Sequence, residues 1–364
     1  MAASHDTLDG EALALSRDAI ELYYSNNLTD GLPVVPITGD VVNEFLAHTS
    51  RQPAEVLFEI PHLNRSCTVE LAAANAAMAG CLPQYFPVVI AAWEAISREA
   101  YPKAGIWQST TGVAPLLIVN GPIRTSLGIN SAGNILGSGI RANATIGRAI
   151  RLGAINIFGI HSHHLDQATH GTPARYSACF AENEEQSPWE PLHVAHGFAA
   201  EDSTVATATI RSTMHVEARH TSDPEQLAHD LLNTMTRSGA MMNEFTSSIL
   251  IISPEHAAVF AGAGWGRETL RDFLYSNGRT TAEALARVGK DGISSAARWR
   301  LPVGHPDAVG EPPAGDAEIS LFRSPEGIQI VVAGADNAGV STVVDVFSSG
   351  ESAQENPLAF GKVD

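Results

Sequence analysis

Basic residues are scarce in this chain: 22 lysines and arginines stand against 40 aspartates and glutamates, a formal net charge of −18 over 364 residues. Such a field repels phosphate backbones and anionic lipids, so nucleic acid and membrane surfaces are set aside as main partners. A local basic pocket inside the acidic envelope still leaves small anionic substrates open. Cysteine is nearly absent as well. Cys67, Cys81 and Cys179 are an odd number at wide spacing with no Cys-x-x-Cys pair, which argues against a disulfide framework or a zinc knuckle. The most apolar runs, Phe86 to Ile96 and Ser248 to Ser253, are too short to span a bilayer. Met1 to Asp6 shows no basic segment leading into an apolar stretch, so no secretory signal is expected and a reducing cytoplasm fits best. No internal repeat is visible.

What remains is a chain that is 44% hydrophobic and 17% charged, ample for a buried core. Its length suggests two lobes or one large mixed domain; the division adopted is residues 1–201 as an N-terminal lobe and 202–364 as a C-terminal α/β lobe. Helical spacing predicts an opening helix over 8–26. An Ala-rich helix follows over 68–80, with Thr68 as N-cap and Gly80 as the stop. Pro83 marks a turn, and Pro87 occupies the first turn of a helix to Arg98. Cys81 therefore belongs to a tight helix–turn–helix junction.

Pro115 to Val119 reads as a buried strand. A Gly/Asn-rich loop, Gly128 to Gly139, then enters a helix over about 141–152 that carries Arg141, Arg148 and Arg151. Residues 153–200 lack periodicity and suggest long ordered loops over a site. Beyond them come a strand over 203–218, a helix over 224–237, a strand over 248–252 and a helix opened by Ser253-Pro254. Helical stretches at 269–275 and 282–288, a Gly/Pro-rich linker over 289–316 and a last strand over 327–333 complete the reading. The fold class is α/β or α+β: two lobes, mixed sheets covered by helices, and long ordered loops over a cleft.

Four groups of residues can carry chemistry. Cys81 faces the start of the following helix, whose field can lower a thiol pKa and prepare a nucleophile; the opposing reading is a core cysteine. The Gly/Asn loop and the helix after it offer Asn130, Asn134, Arg141, Asn143 and Arg148 for a carboxylate or phosphate, against a reading in which they serve the loop itself. No Gly-x-Gly-x-x-Gly or Gly-Lys-Ser/Thr pattern is present. His161-Ser-His-His-Leu-Asp166 with His170 has the residue types of a divalent metal site without an established spacing, and His161 can instead act as a general base. Glu182-Asn-Glu-Glu185 with Trp189 can place one carboxylate near apolar rings as acid or base, with Glu70 as another partner for Cys81. Asp336 and Asn337 close the last strand, where α/β proteins place ligands.

Several phrases occur in order: Thr29-Asp-Gly-Leu-Pro-Val-Val-Pro36, Ala79-Gly-Cys81 with Pro87-Val-Val89, Val119-Asn-Gly-Pro122, Arg141-Ala-Asn-Ala-Thr-Ile-Gly-Arg-Ala149 and Glu182-Asn-Glu-Glu-Gln-Ser-Pro-Trp189. Together they resemble a largely uncharacterised bacterial family associated with UGSC-type (seleno)proteins as a companion or fused region. The likeness spans roughly residues 28–275, with a weaker echo near Gly334. It implies reductive or thiol-dependent chemistry and adds weight to Cys81, Asn143, Arg148 and Glu182, although this chain lacks the redox pair of the UGSC partner. The His161 run lies outside the family pattern.

The leading expectation is a small-molecule enzyme, a cysteine-dependent hydrolase or lyase, acting on a polar carboxylate-bearing substrate between the lobes. Cys81 is its nucleophile, Glu182 or His161 its acid/base, and Arg141 and Asn143 its anion clamp. No cofactor is predicted, with a divalent metal at the His161–His170 cluster left open. The rivals are a thiol-dependent reductase working with a redox partner protein, a metal-dependent hydratase or hydrolase using the His161–His170 cluster, and a non-catalytic binding protein. Homo-oligomerisation is the base-rate expectation.

Overall fold

A computed structural model describes residues 10–99, 103–237, 246–287, 316, 318–337, 339–347 and 356–364. Nearly all of the expected 289–316 linker lies outside the described residues. Helices α1 (Gly10–Ser25) and α2 (Gly39–Leu46) precede a hairpin of β1 (Val56–Ile60) and β2 (Arg65–Thr68), then α3 (Val69–Ala79), α4 (Phe86–Arg98) and α5 (Lys103–Trp107). Next come β3 (Ala114–Asn120), α6 (Ile123–Ser126), α7 (Arg141–Asn156), β4 (Cys179–Ala181), α8 (Leu192–Ala195) and β5 (Thr204–Glu217). The remainder is α9 (Pro224–Arg237), β6 (Thr246–Ile252), α10 (Pro254–Gly262), α11 (Arg267–Asn277), β7 (Arg279–Thr281), α12 (Ala282–Arg287), β8 (Glu318–Ser320), β9 (Ile328–Val332), β10 (Val340–Phe347) and β11 (Ala359–Lys362).

The expected α/β class holds, as a mixed sheet with helices packed on it. Seven strands form that sheet in the order β4-β3-β5-β10-β6-β9, with β11 beside the first half of β5. The order has an internal symmetry. From either edge one meets a parallel pair (β4 and β3, or β9 and β6) and then an antiparallel strand (β5, or β10). Each half runs helix, strand, helical crossover, parallel strand, antiparallel strand, with α4 leading one and α9 the other. The likeness is one of strand order: the first crossover carries α6 and α7, and the described residues of the second carry α10, α11, α12 and the β7–β8 pair. The boundary near residue 201 falls just before β5, which pairs with β3 from Ala114↔Ile210 to Asn120↔Thr204, so strands from both sides share one sheet.

The sheet curls, because the C-terminal ends of its two edge strands meet: the Asn183 N–H donates to the Val332 carbonyl at 2.8 Å. Side-chain alternation then separates two faces. Leu116 and Ile118 of β3, Phe180 of β4, Ile249 and Ile251 of β6 and Val331 of β9 fill the concave side. Leu117, Val119 and Cys179 point outward into a core shared with α3, α4 and α7. Leu250, Ile252, Ile328 and Ile330 do the same beneath α9 and α11.

Local chemistry explains the helices around the first core. Thr68 Oγ1 accepts the Leu71 N–H at 3.3 Å, and Gly80 takes φ 89°, the left-handed geometry that stops α3 where the sequence predicted. Alanines 72, 73, 76 and 77 let α3 lie close to α7. Gly153 of α7 is required by packing, since a Cβ there would stand 2.5 Å from Trp93 Cζ2. Trp93 joins Phe58, Trp107 and Phe158 in one aromatic cluster.

Candidate functional site

A cleft of about 670 Å3 opens between the Asn27–Gly31 turn, the last turns of α7 and the 161–176 loop. Arg151, His161, Ser162, His164, His170, Arg175 and Tyr176 line it. Behind them lies Asp166, the single aspartate of residues 157–200 and buried. Arg151 Nη2 approaches Asp166 Oδ2 at 3.0 Å, and Arg175 Nη2 bonds the same oxygen. The Ala168 N–H donates to Oδ1 at 3.1 Å. Burial alone would raise the Asp166 carboxyl, but Arg175, the Ala168 amide and Arg151 together hold it below its ordinary value. The loop is pinned elsewhere too, with Thr169 N–H on the Thr110 carbonyl at 3.0 Å and Asp166 N–H on the His161 carbonyl at 3.1 Å. The wall is therefore set before any ligand arrives.

His161 titrates below an ordinary histidine, first because it is partly buried and then because His164, Arg151 and Arg65 place positive charge nearby. At neutral pH it is a free imidazole, the form a general base needs. The opposite wall is held by Arg148, whose Nε and Nη2 each lie 2.8 Å from Asp30 carboxylate oxygens, with Nη2 also 2.9 Å from the Pro33 carbonyl. Arg148 is thus a strap between α7 and the Thr29–Pro36 segment.

The other predicted residues fall into two separate places. Cys81 is buried beside Thr145, Arg141, Arg148 and Cys179, and burial pushes its thiol up to about 12 despite the first three neighbours. This corrects the expectation of a prepared thiolate: Cys81 does sit in the junction between α3 and α4, yet desolvation outweighs any favourable field. Cys179 is buried next to it, and ionisation of either thiol would oppose that of the other. Iodoacetamide at pH 8 should therefore label Cys81 and Cys179 only as fast as the chain unfolds; rapid labelling of the folded protein would contradict their burial. Glu70 lies exposed in the first turn of α3, separated from Cys81 by the helix itself, roughly 16 Å at 1.5 Å per residue. It is too far away to serve Cys81 in this structure.

The amides of the Gly/Asn loop are spent on the backbone. Asn143 Oδ1 accepts the Asn130 N–H at 2.8 Å while its Nδ2 donates to the Asn130 carbonyl at 3.1 Å. Asn130 in turn bonds Gly133 O and Ala132 N, and Asn134, at φ 65°, closes the loop onto Ser138 O. Arg141 Nε donates to the Gly80 carbonyl at 2.9 Å, tying α7 to the end of α3. None of the four lines the cleft.

Glu182 is fully buried at the end of β4. Its Oε2 accepts from Asn120 Nδ2 and, at 2.6 Å, from the Leu192 N–H, and Arg267 Nη2 lies 3.4 Å from Oε1. Burial raises the carboxyl to about 6, with Arg267 the largest opposing influence. Trp189 joins this network: its indole N–H donates to Trp265 O at 3.1 Å, and the Arg267 guanidinium sits 5.9 Å over its ring. Glu184, Glu185 and Arg124 extend it, with Arg124 to Glu184 at 2.9 Å. His193 is buried here with neither ring nitrogen hydrogen-bonded, Nδ1 standing 3.9 Å from Glu184. Cys81 and Glu182 therefore occupy different neighbourhoods, and neither lines the cleft.

Of the sequence candidates, only the histidine run reaches the cleft, through His161, His164 and His170. Among the described residues no group of three or more His, Cys, Asp or Glu side chains is placed to hold a metal ion; Asp166 is already engaged by two arginines. Arg175 and the Thr29–Gly31 wall were not anticipated as site elements. Their signal was a pair of arginines flanking the single aspartate of a histidine-rich segment, a pairing visible only once α7 is folded against the loop. No family model matches the chain, and no curated protein matches it. No helix among the described residues is long and apolar enough to cross a membrane.

Proposed function

We propose that this chain is an enzyme for acid–base chemistry on a small polar anion held in the Arg151–His161–Arg175 cleft. The observation that carries this reading is two guanidinium groups sharing one buried carboxylate beside three imidazoles, in a chain whose net charge is −18. The arginines orient the anionic end of the substrate. His161, neutral at physiological pH, removes or returns a proton, as a hydratase, lyase or hydrolase requires. The cleft's size falls within the range for small-molecule sites, about 300–1,000 Å3. A nucleophilic or redox Cys81 is disfavoured by its burial and its protonated thiol.

The test is turnover. Short hydroxy and keto acids are screened with the wild-type chain, His161→Gln and Cys81→Ser. Loss of a positioned acid–base group lowers kcat by about 10²–10⁴-fold, which is expected for His161→Gln with KM little altered, while Cys81→Ser keeps kcat. A Cys81→Ser chain that folds but is inactive, beside a fully active His161→Gln, would overturn the assignment.

A further inference from the structure

The charge of the cleft and its uncharged wall narrow the ligand further. Among the described residues, Arg151, Arg175 and Asp30 are the only arginine, lysine or carboxylate side chains that line it. Asp30 is neutralised by Arg148 in the opposite wall, and Asp166 offsets one of the two arginines. Arg65 packs against Gly159 and does not line the cleft. One positive charge is left over. Each of the two arginines gives Asp166 its Nη2 alone, so N–H donors on both remain for an anion. Around that charge the wall is neutral and polar. Asn27, Ser162, Thr172 and Tyr176 line it, and none of their side chains hydrogen-bonds to another group among the described residues.

Resting on the proposed function, we infer that the cleft takes a singly charged, polyhydroxylated carboxylic acid, a molecule of the sugar-acid type. Its carboxylate brings two oxygens to the two guanidinium groups and one negative charge to the one positive charge left over. A second carboxylate would find no cation of its own and would enter a chain of net charge −18. A hydrocarbon tail would displace water from the four polar side chains of the wall and return no hydrogen bond, the mismatch by which a polar site rejects an apolar analogue. Hydroxyls along the tail restore those bonds, each able both to donate and to accept. The free imidazole of His161 then faces a ligand rich in exchangeable protons.

Isothermal titration of the intact chain at pH 8 with gluconate, hexanoate and glucarate tests this at constant carbon number. Gluconate is expected to bind about tenfold or more tighter than hexanoate, the gain from one or two net hydrogen bonds. Glucarate, despite its second charge, should bind no tighter than gluconate. Thr172→Val keeps the shape and removes the hydroxyl, so it should weaken gluconate by about threefold or more and leave hexanoate unchanged. Ser162→Ala, at an exposed position, makes the same comparison should Thr172→Val fold poorly. Arg175→Gln should weaken gluconate and hexanoate alike. Hexanoate as tight as gluconate, gluconate binding untouched by both hydroxyl variants, or glucarate about tenfold tighter than gluconate would each overturn the assignment. If hexanoate or glucarate binds at the cleft and gluconate does not, this inference fails and the proposed function stands; if none binds, both fail.

Discussion

Asp166→Ala should destabilise the chain by about 3–5 kcal/mol, the usual penalty for removing one partner of a buried ion pair. The effect is large because a single carboxylate serves two guanidinium groups, each only about one-seventh exposed (Arg151 13%, Arg175 15%). Without it the two cations are left side by side with no carboxylate between them, and the Ala168 N–H loses its acceptor. Urea unfolding measures the loss, and Asp166→Asn, which keeps an acceptor, should lose less. The pH dependence has a definite sign. Asp166 titrates lower folded than unfolded, so its contribution is present above the ordinary aspartate range near 4 and disappears as pH falls through the folded value. A penalty below about 1 kcal/mol for Asp166→Ala, the scale of an exposed pair, would mean the arginines are held by something other than this carboxylate.

Glu182→Ala should cost a similar amount, about 3–5 kcal/mol, but for a different reason and with the opposite pH signature. The substitution leaves the buried Leu192 N–H without its acceptor and takes one of two partners from Arg267, which keeps the Glu190 carbonyl, and from Asn120, which keeps Glu184. Glu182→Gln, which retains polar contacts, should be milder. The carboxyl titrates near 6 folded against 4.5 unfolded, so between those values the native state holds more protons. Stability from this group therefore falls as pH rises from about 4.5 to about 6, by up to about 2 kcal/mol at 1.36 kcal/mol per unit. Glu182→Gln should flatten that segment of the stability–pH curve and leave catalytic turnover in place. A Glu182→Gln chain of normal stability but without turnover would return Glu182 to the active site and remove it from the structural network.

Legibility in the sequence followed locality. The start and stop of α3 could be read because Thr68 and Gly80 act within a turn of themselves. The long α7 and β5 could be read because their periodicities are sustained. β4 was hidden because three residues between polar loops carry no pattern. In β10 the alternation is broken by Asp345, buried against Arg211 at 2.7 Å, a pairing between strands distant in sequence. β11 reads as a tail, since Gly361 interrupts it; the glycine is there because a Cβ would stand 2.0 Å from the Ala91 carbonyl of α4. The symmetry of the sheet was invisible because the two crossovers share no pattern.

The site followed the same rule. His161 was accessible to sequence reasoning as a residue type with a neighbouring charge. Arg148 and Asn143 looked like ligand donors because their partners, Asp30 and the Asn130 backbone, are assigned only by the fold. Cys81 was placed correctly in its junction but in the wrong electrostatic setting, because burial depends on what packs over the turn.

The most direct test of a functional cleft is a histidine-resolved NMR titration of ring nitrogens and carbons, run separately with inorganic phosphate and with succinate and assigned by single His→Gln variants. The expected result is saturable shifts at His161, His164 and His170 with at least one of the two anions. His193 and His256, buried elsewhere, should stay unmoved, and the response should need higher anion concentrations in Arg175→Gln. Silent rings at all three cleft positions, or saturable shifts confined to other histidines, would contradict the cleft as the place where this protein meets its substrate.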